Sequence, residues 1–238
     1  MNALVVGNGL MGTVAYKELV NRGDSVTIVS NLNRPLTRRF PMDRSFDILI
    51  DFSHPDGIES IVAFSRAEDL PAVIGTTGYS DKKFELVSDL GKVVPVLYSG
   101  NFSLGVILME RLVKETARVL GSDFNIEIIE KHHQNKIDAP SGTAKMLQKA
   151  ANEHLNNNVI YGQANNIHKE KEIAVQSIRT GSIVGEHEIR FTGADEVLSI
   201  KHEALSKSIF AKGAIKASEW LIGQEIGLYS MEDVLFGD

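Results

Sequence analysis

Six residues near the start of the chain, Gly7-Asn8-Gly9-Leu10-Met11-Gly12, restrict its fold more than any other segment. They follow Ala3-Leu4-Val5-Val6, an apolar run of the kind that forms a strand buried on both faces of a parallel sheet. A helix-like segment comes next, Thr13 to Arg22, and Gly23-Asp24 then leads to a second strand, Val26 to Val29. The G-x-G-x-x-G spacing is common by itself. Set between a strand and a helix in a unit of this length, it is a dinucleotide-binding fingerprint. Gly7 would permit the tight turn, Gly9 would admit a pyrophosphate, and Gly12 would let the helix pack on the strand. The plainer alternative is a glycine-rich turn that holds no ligand.

The end of the second strand bears on which nucleotide is used. NAD-preferring sites carry Asp or Glu there to bind the ribose 2′-hydroxyl. This chain reads Ser30-Asn31-Leu32-Asn33-Arg34 instead, with Arg38 and Arg39 nearby. No carboxylate repels a 2′-phosphate, and Arg34 can attract one. A solvated basic loop explains these arginines equally well. Use of both NADH and NADPH is the expectation.

Strands and helices continue to alternate through the first third. Asp47 to Phe52 reads as a strand, Ile58 to Arg66 as a helix, and Ala72-Val73-Ile74 as the next strand. Gly75-Thr76-Thr77-Gly78 follows at the carboxyl edge of that strand, where open parallel sheets bind ligands, so this loop should border a nicotinamide. His54, before Pro55, is a loop histidine expected to be exposed. Val93 to Tyr98 leads through Ser99-Gly100-Asn101-Phe102 to Ser103, which can cap a long helix ending near Leu120, with Gly121 just beyond. After residue 170 the pattern changes. Glu172 to Arg179, Glu186 to Phe191 and Val197 to His202 are strand-like, with glycine turns and no helices between them. The fold expected is α/β: a Rossmann-type doubly wound parallel sheet in residues 1–98, and a second α+β domain, 99–208, with a mixed, mostly antiparallel sheet. The last helix, with Phe210, Ala214, Ile215, Ser218, Leu221 and Ile222 on its apolar face, should pack back onto the first domain. The polar segment Asn156 to Lys171 reads as the loop most prone to move.

Most of the chemistry is concentrated between Glu130 and Ala144: Glu-Lys-His-His-Gln-Asn-Lys-Ile-Asp-Ala-Pro-Ser-Gly-Thr-Ala. Upstream, Asn125 and Glu127 alternate with Ile126 and Ile128 as in a strand, before Ile129 interrupts the pattern. Downstream, Ser141 is a good N-cap, and Ala144, Leu147, Ala151 and Leu155 form one helical stripe. His132, His133 and Lys136 can move protons, and the Ser141-Gly142-Thr143 turn offers hydroxyls and a helix start suited to an anion. Taken singly, each histidine reads as structural or solvated. Together with an anion-ready helix start they point to an enzyme that protonates a small carboxylate substrate. A metal site is disfavoured, because adjacent strand histidines face opposite ways and no cysteine is present.

Composition narrows the field further. With 238 residues, 43% of them hydrophobic, and no cysteine, the chain can build two modest cores without disulfides. A formal charge of -6 gives no electrostatic basis for nucleic-acid binding. No apolar run approaches membrane length, and a first strand beginning almost at Met1 leaves no room for a targeting peptide, so a cytoplasmic location is expected.

The segment Lys131 to Ala144 resembles the signature of the 4-hydroxy-tetrahydrodipicolinate (dihydrodipicolinate) reductases of bacterial lysine and diaminopimelate biosynthesis. The likeness runs in order along the chain: Gly7 to Gly12, Asp51-Phe52-Ser53, Gly75 to Gly78, Asn101 to Val106, Arg179-Thr180-Gly181, Val184 to His187, and Phe210 to Ala214. It implies His132 as the acid/base histidine and Lys136 as a proton donor. It implies that His133 and Ser141-Gly142-Thr143 bind substrate, and that Gly7 to Gly12, Gly75 to Thr77 and Ser99 to Phe102 bind NAD(P)H. Leu10 stands where some longer members have arginine, and the acidic residue after the second strand is missing. A homotetramer joined through the second-domain sheets is also implied. A histidine titrates near pH 6.5 or so, which suits proton donation near neutrality. Other classes consistent with parts of the sequence are an amino-acid or imine dehydrogenase, and a nucleotide sensor without turnover. The sensor would need neither His132, Lys136 nor an anion-holding turn.

Overall fold

The computed structural model of the protein describes residues 1–29, 45–121, 123–162 and 171–237. In chain order its elements are β1 (Asn2–Val6), α1 (Leu10–Asn21), β2 (Ser25–Val29), β3 (Ile48–Asp51), α2 (Ile58–Ala67), β4 (Ala72–Ile74), α3 (Asp81–Leu90), β5 (Pro95–Tyr98) and α4 (Leu104–Leu120). There follow β6 (Asn125–His132), α5 (Gly142–Asn152), β7 (Asn158–Tyr161), β8 (Glu172–Arg179), β9 (Gly185–Thr192), β10 (Val197–Ala204), α6 (Ser208–Leu221), β11 (Gly227–Tyr229) and α7 (Met231–Phe236). Two compact units result, Met1–Leu104 with Lys207–Asp238, and Gly105–Ser206.

The first unit is built on a six-stranded sheet, order β11-β5-β4-β3-β1-β2, in which every pairing is parallel. β1 lies between β2 and β3, so the chain switches its direction of travel across the sheet at that point. Ala3 to Val6, Ile48 to Ile50 and Ala72 to Ile74 are fully buried, as strands covered on both faces must be. Leu4, Val6, Leu49 and Ile74 pack with Ile58, Ile61 and Phe64 of α2 and with Val87 and Leu90 of α3. α6 packs on α1 and on the sheet at β3, β4 and β5. It approaches closely because its inner face is small: Ala211, Gly213, Ala214, Ala217 and Ser218 are all buried. A Cβ at Gly213 would lie 1.7 Å from the Phe102 carbonyl oxygen.

In the second unit the sheet order is β10-β9-β6-β8-β7. β6 is central, antiparallel to β9 and parallel to β8; β9 and β10 are antiparallel, and β7 and β8 parallel. The mixed sheet is therefore evenly divided rather than mostly antiparallel. The balance shifts because β7 lies inside the polar segment 156–171 that reads as a loop. It is a four-residue edge strand whose pairing with β8 its composition does not reveal. β6 is buried at every second residue: Ile126, Ile128, Glu130 and His132 face α4 and α5, where Met109, Val113, Ala144, Leu147 and Ala151 close the core. The alternation does not end at Ile129, as the sequence suggests. It continues with a carboxylate and an imidazole in the buried row. α5 ends at Asn152, but Leu155 still packs partly against this core, over Gly121, where a Cβ would come within 2.5 Å of its methyl carbon.

Among the described residues no helix is long and apolar enough to cross a membrane. β11 and α7 extend past the last helix legible in the sequence; α7 is started by a capping box between Ser230 and Asp233.

Gly213→Ala should be strongly destabilising, by about 3 kcal/mol or more, because the clash is with backbone that cannot move aside without separating α6 from the sheet. Gly223→Ala, with open space around it, should change stability by no more than about 0.5 kcal/mol. Thermal unfolding of both variants checks the contrast.

Candidate active site

The candidate site residues fall in two groups, one in each unit. In the first unit they gather at the carboxyl edge of the parallel sheet. Gly7 has φ +102°, and its N–H donates to the Val29 carbonyl at 2.8 Å. A Cβ there would sit 2.3 Å from the Phe52 carbonyl oxygen, and one at Gly12 would sit 1.8 Å from the Gly7 carbonyl oxygen. Only glycine permits either approach. Gly9, by contrast, has nothing within 4 Å of a built Cβ. It is the N-cap of α1, whose start has no side-chain cap and no acidic residue in its first turn. That open, uncapped helix start fits a dinucleotide pyrophosphate. Asn8 and Leu10 are exposed beside it and Met11 is half-buried.

The neighbouring loops are tied from beneath. Asp51, fully buried at the end of β3, accepts from the Ser53 N–H at 3.0 Å and the Ser53 hydroxyl at 2.5 Å. Burial pushes its carboxyl up, while hydrogen bonds from Ser53, Thr76 and Tyr79 oppose the shift. The Thr76 oxygen also accepts from the Ser53 N–H at 2.9 Å. The Thr76 side chain is thus a link between loops, whereas Thr77 and Gly100 are exposed and Gly75 is half-buried. A Cβ at Gly75 would strike the Phe52 ring at 2.3 Å. Phe102 is buried edge-on to Phe52, with ring centroids 5.8 Å apart. Half-buried Ser99 donates its hydroxyl to the Asn101 carbonyl at 2.5 Å, and Asn101 accepts from the Ser103 N–H at 2.9 Å. Arg34, Arg38, Arg39 and Ser30 to Asn33 lie outside the described residues. His54 is exposed, and its Nδ1 accepts from the Asp56 N–H in a short turn.

In the second unit the centre is Glu130, wholly buried on β6. Arg179, opposite His132 on β8, reaches it with both terminal nitrogens, at 2.7 and 2.8 Å. His132 Nδ1 lies 2.5 Å from Glu130 Oε2, and the Ser141 N–H donates to Oε1 at 3.1 Å. Burial alone would raise this carboxyl. The hydrogen bonds from His132, Arg179, Ser177 and Ser141 outweigh it and hold Glu130 well below the usual carboxylate range. An ionised Glu130 accepts the Nδ1–H of His132, so Nε2 is the ring nitrogen not engaged by Glu130. A Cβ at Gly185 would lie 3.1 Å from that atom, and glycine leaves the space open.

Ser141 caps α5, its oxygen accepting from the Ala144 N–H at 3.1 Å and lying 3.0 Å from His187 Nε2. Its hydroxyl is therefore committed inside the fold, and the outward-facing groups of the turn are those of Gly142 and Thr143. Space beside Gly142 is open. Lys136 pairs with Asp138 at 2.8 Å, and a turn closed by its N–H to the His133 carbonyl holds it near half-buried His133. Burial pushes the Asp138 carboxyl up, but hydrogen bonding and charge from Lys136 bring it below its ordinary value. Among the described residues no group of three or more metal-ligating side chains occurs.

Glu130, Arg179 and His187 are the site residues that sequence reasoning left without a role. The signal for Glu130 was there, in the strand's own period-two pattern, but a carboxylate in a buried row is read as an interruption. Arg179 and His187 come from distant strands, and the motifs that contain them do not show which groups they meet.

A nucleotide-type parallel sheet with an open glycine loop in one unit, and a buried Glu–His pair in the other, define an NAD(P)-binding dehydrogenase architecture. The family models for the N-terminal and C-terminal parts of dihydrodipicolinate reductase match residues 1–102 and 105–235. The chain is 38% identical to the 4-hydroxy-tetrahydrodipicolinate reductase of Clostridium novyi over 240 residues, 96% of this chain and 95% of that one. Against the same enzyme of Caldanaerobacter subterraneus identity is 39% over 96% of this chain and 95% of the relative. Among solved structures, a dipicolinate-bound dihydrodipicolinate reductase from Paenisporosarcina sp. TG-14 shares the fold, with a TM-score of 0.76 at 20% identity over 99% of this chain and 100% of that one. The chain belongs to the dihydrodipicolinate reductase family and is an NAD(P)H-dependent oxidoreductase.

His187 gives the site a pH signature. Burial, and then the neighbouring His132, depress it from 6.5 to about 4. The folded state therefore favours the neutral ring. The stability this confers is complete above pH 6.5 and is lost as pH falls toward 4. Glu130, also depressed, adds a further loss below its ordinary value of 4.5. The stability difference between the parent and His187→Gln should change by on the order of 2–3 kcal/mol across the histidine window. Denaturant unfolding at stepped pH measures it, and a pH-independent difference would rule it out.

Proposed function

We propose that His132 and Lys136 carry the proton chemistry of this reductase, and that the start of α5 holds a carboxylate of its substrate. The reaction is the reduction of 4-hydroxy-tetrahydrodipicolinate to tetrahydrodipicolinate in diaminopimelate and lysine biosynthesis. The observation that carries the assignment is the 2.5 Å contact between His132 Nδ1 and ionised Glu130. It fixes the imidazole's orientation and leaves Nε2 to deliver the proton. The nicotinamide, when bound by Gly7 to Gly12, Gly75 to Thr77 and Ser99 to Phe102, supplies the hydride.

The chain's own groups do the rest. The N–H of Gly142 opens α5 beside open space, so it is suited to a carboxylate oxygen. The Thr143 hydroxyl and half-buried His133 add donors to the same turn. Lys136, already paired with the Asp138 carboxylate, is placed to exchange that anion for one on the substrate and to pass on a proton. The dicarboxylate dipicolinate, named with the Paenisporosarcina enzyme, is the natural probe of this half-site.

Both NADH and NADPH serve as donors in this reading, since Asn31 and Asn33 present no carboxylate to a 2′-phosphate and Arg34 can meet one. A homotetramer is proposed from the family resemblance, supported by the partly exposed Val197 and Leu198 on the edge strand β10.

With substrate generated in situ by the preceding synthase, NAD(P)H oxidation followed at its absorbance band tests the reaction. His132→Ala should lower kcat by roughly 10²-fold or more and leave nucleotide affinity near that of the parent. Lys136→Ala should raise substrate KM and also slow turnover; an unchanged KM would remove it from the anchoring role. Titration should give Kd values for NADPH and NADH within about tenfold of each other. Arg34→Ala should weaken NADPH alone, and an equal loss for both nucleotides would show that Arg34 does not read the 2′ position.

A further inference from the structure

His187 was given no role by the sequence and is buried beneath the helix start. It lies opposite Glu130 on one neighbouring strand and opposite His202 on the other. Its ring stands edge-on to that of His132, with centroids 5.1 Å apart. Its Nε2 is 3.0 Å from the Ser141 hydroxyl oxygen. Ser141 is thus held at two atoms by the two residues that flank the acid–base histidine. Its amide donates to Glu130 and its hydroxyl meets His187, while the same hydroxyl oxygen accepts from the Ala144 N–H.

We propose that His187 is a positioning residue for substrate binding: through Ser141 it fixes the height and direction of the α5 start, so that the Gly142 amide stands at a set distance from His132. The inference rests on the reading of this turn as the carboxylate site. A cap with only the Ala144 bond would hold the first turn's geometry but not its place above the sheet. Adding the Glu130 contact constrains one point of the cap, and adding His187 constrains a second, which removes rotation of the helix start about the first. The role requires a neutral imidazole with one nitrogen free for the hydroxyl, and burial beside His132 keeps the ring neutral at physiological pH. Gly185, next but one on the same strand, leaves the ring edge of His132 uncovered. The positioning residue and the working nitrogen therefore share one wall without blocking each other.

The test compares parent, His187→Leu, His187→Gln, Ser141→Ala and the Leu/Ala double variant, with dipicolinate and NADPH binding by calorimetry and steady-state kinetics on the whole chain. His187→Leu should weaken dipicolinate and raise substrate KM by roughly five- to tenfold, with NADPH affinity unchanged. Glutamine places an amide where Nε2 stands and should stay within about twofold of the parent. The double variant should be no weaker than Ser141→Ala alone, because both changes break one contact. Additive losses, or dipicolinate affinity unchanged in the leucine variant, would overturn the proposal. If the leucine variant does not fold, a glutamine variant as weak as Ser141→Ala overturns it just as well, and one close to the parent supports it. A parent that neither binds dipicolinate nor oxidises NADPH would instead refute the carboxylate site itself.

Discussion

A carboxylate with no access to water is the constraint around which the second unit is arranged. Glu130 sits in the row of β6 that otherwise supplies the core, next to Ile128, and an unpartnered ion there would cost several kcal/mol. The fold answers with a two-pronged guanidinium from β8, an imidazole two residues along the same strand, and the amide that begins α5. Each partner belongs to a different piece of the chain. Satisfying one charge therefore sets the register of β8 against β6, the orientation of His132 and the position of the helix start.

The same contacts serve structure and chemistry. Arg179 also donates to the Asp138 carbonyl at 2.6 Å, which ties the turn bearing Lys136 to the sheet. On the opposite face Lys131 and Lys201 share Glu186, at 2.6 and 3.2 Å. These pairs are partly exposed and contribute little stability singly. The strand end is thus fixed on both faces, and His132, the residue proposed for the acid–base role, is its last residue. A rigid support of this kind keeps an acid–base group within the small tolerance that proton transfer demands.

The first unit reaches its ligand-facing edge by a different route. There close approach of backbone, not charge, decides the residues. Gly7, Gly12, Gly75 and Gly213 each lie where a methyl group would collide with a carbonyl or a ring. Gly9, by contrast, faces open space, and it stands at the uncapped start of α1. Beneath the loops, Asp51, Ser53 and Thr76 form a small hydrogen-bonded knot that joins the ends of β3 and β4.

Much of this was legible in one dimension. A glycine spacing between an apolar strand and a helix prescribes a parallel nucleotide sheet, because only glycine meets the steric demands of that turn. The Ser-Gly-Thr sequence after a proline likewise prescribes a capped helix start, because capping is a contact between residues three apart. Short elements escaped: β7 hides in a polar stretch and β11 has three residues, too few for a period to register. The interior of the site escaped for another reason. Sequence reasoning places a glutamate outside by default, and only the meeting of β6, β8, β9 and α5 supplies Arg179, His187 and the Ser141 amide that make its burial possible. What the sequence by itself determined is the set of groups able to bind a dinucleotide and move a proton, since those depend on residue type and local spacing. What buries Glu130 beside His132, and what holds the helix start near it, was decided by tertiary structure alone, because these contacts join residues 11 to 55 positions apart along the chain and form only when the sheet does.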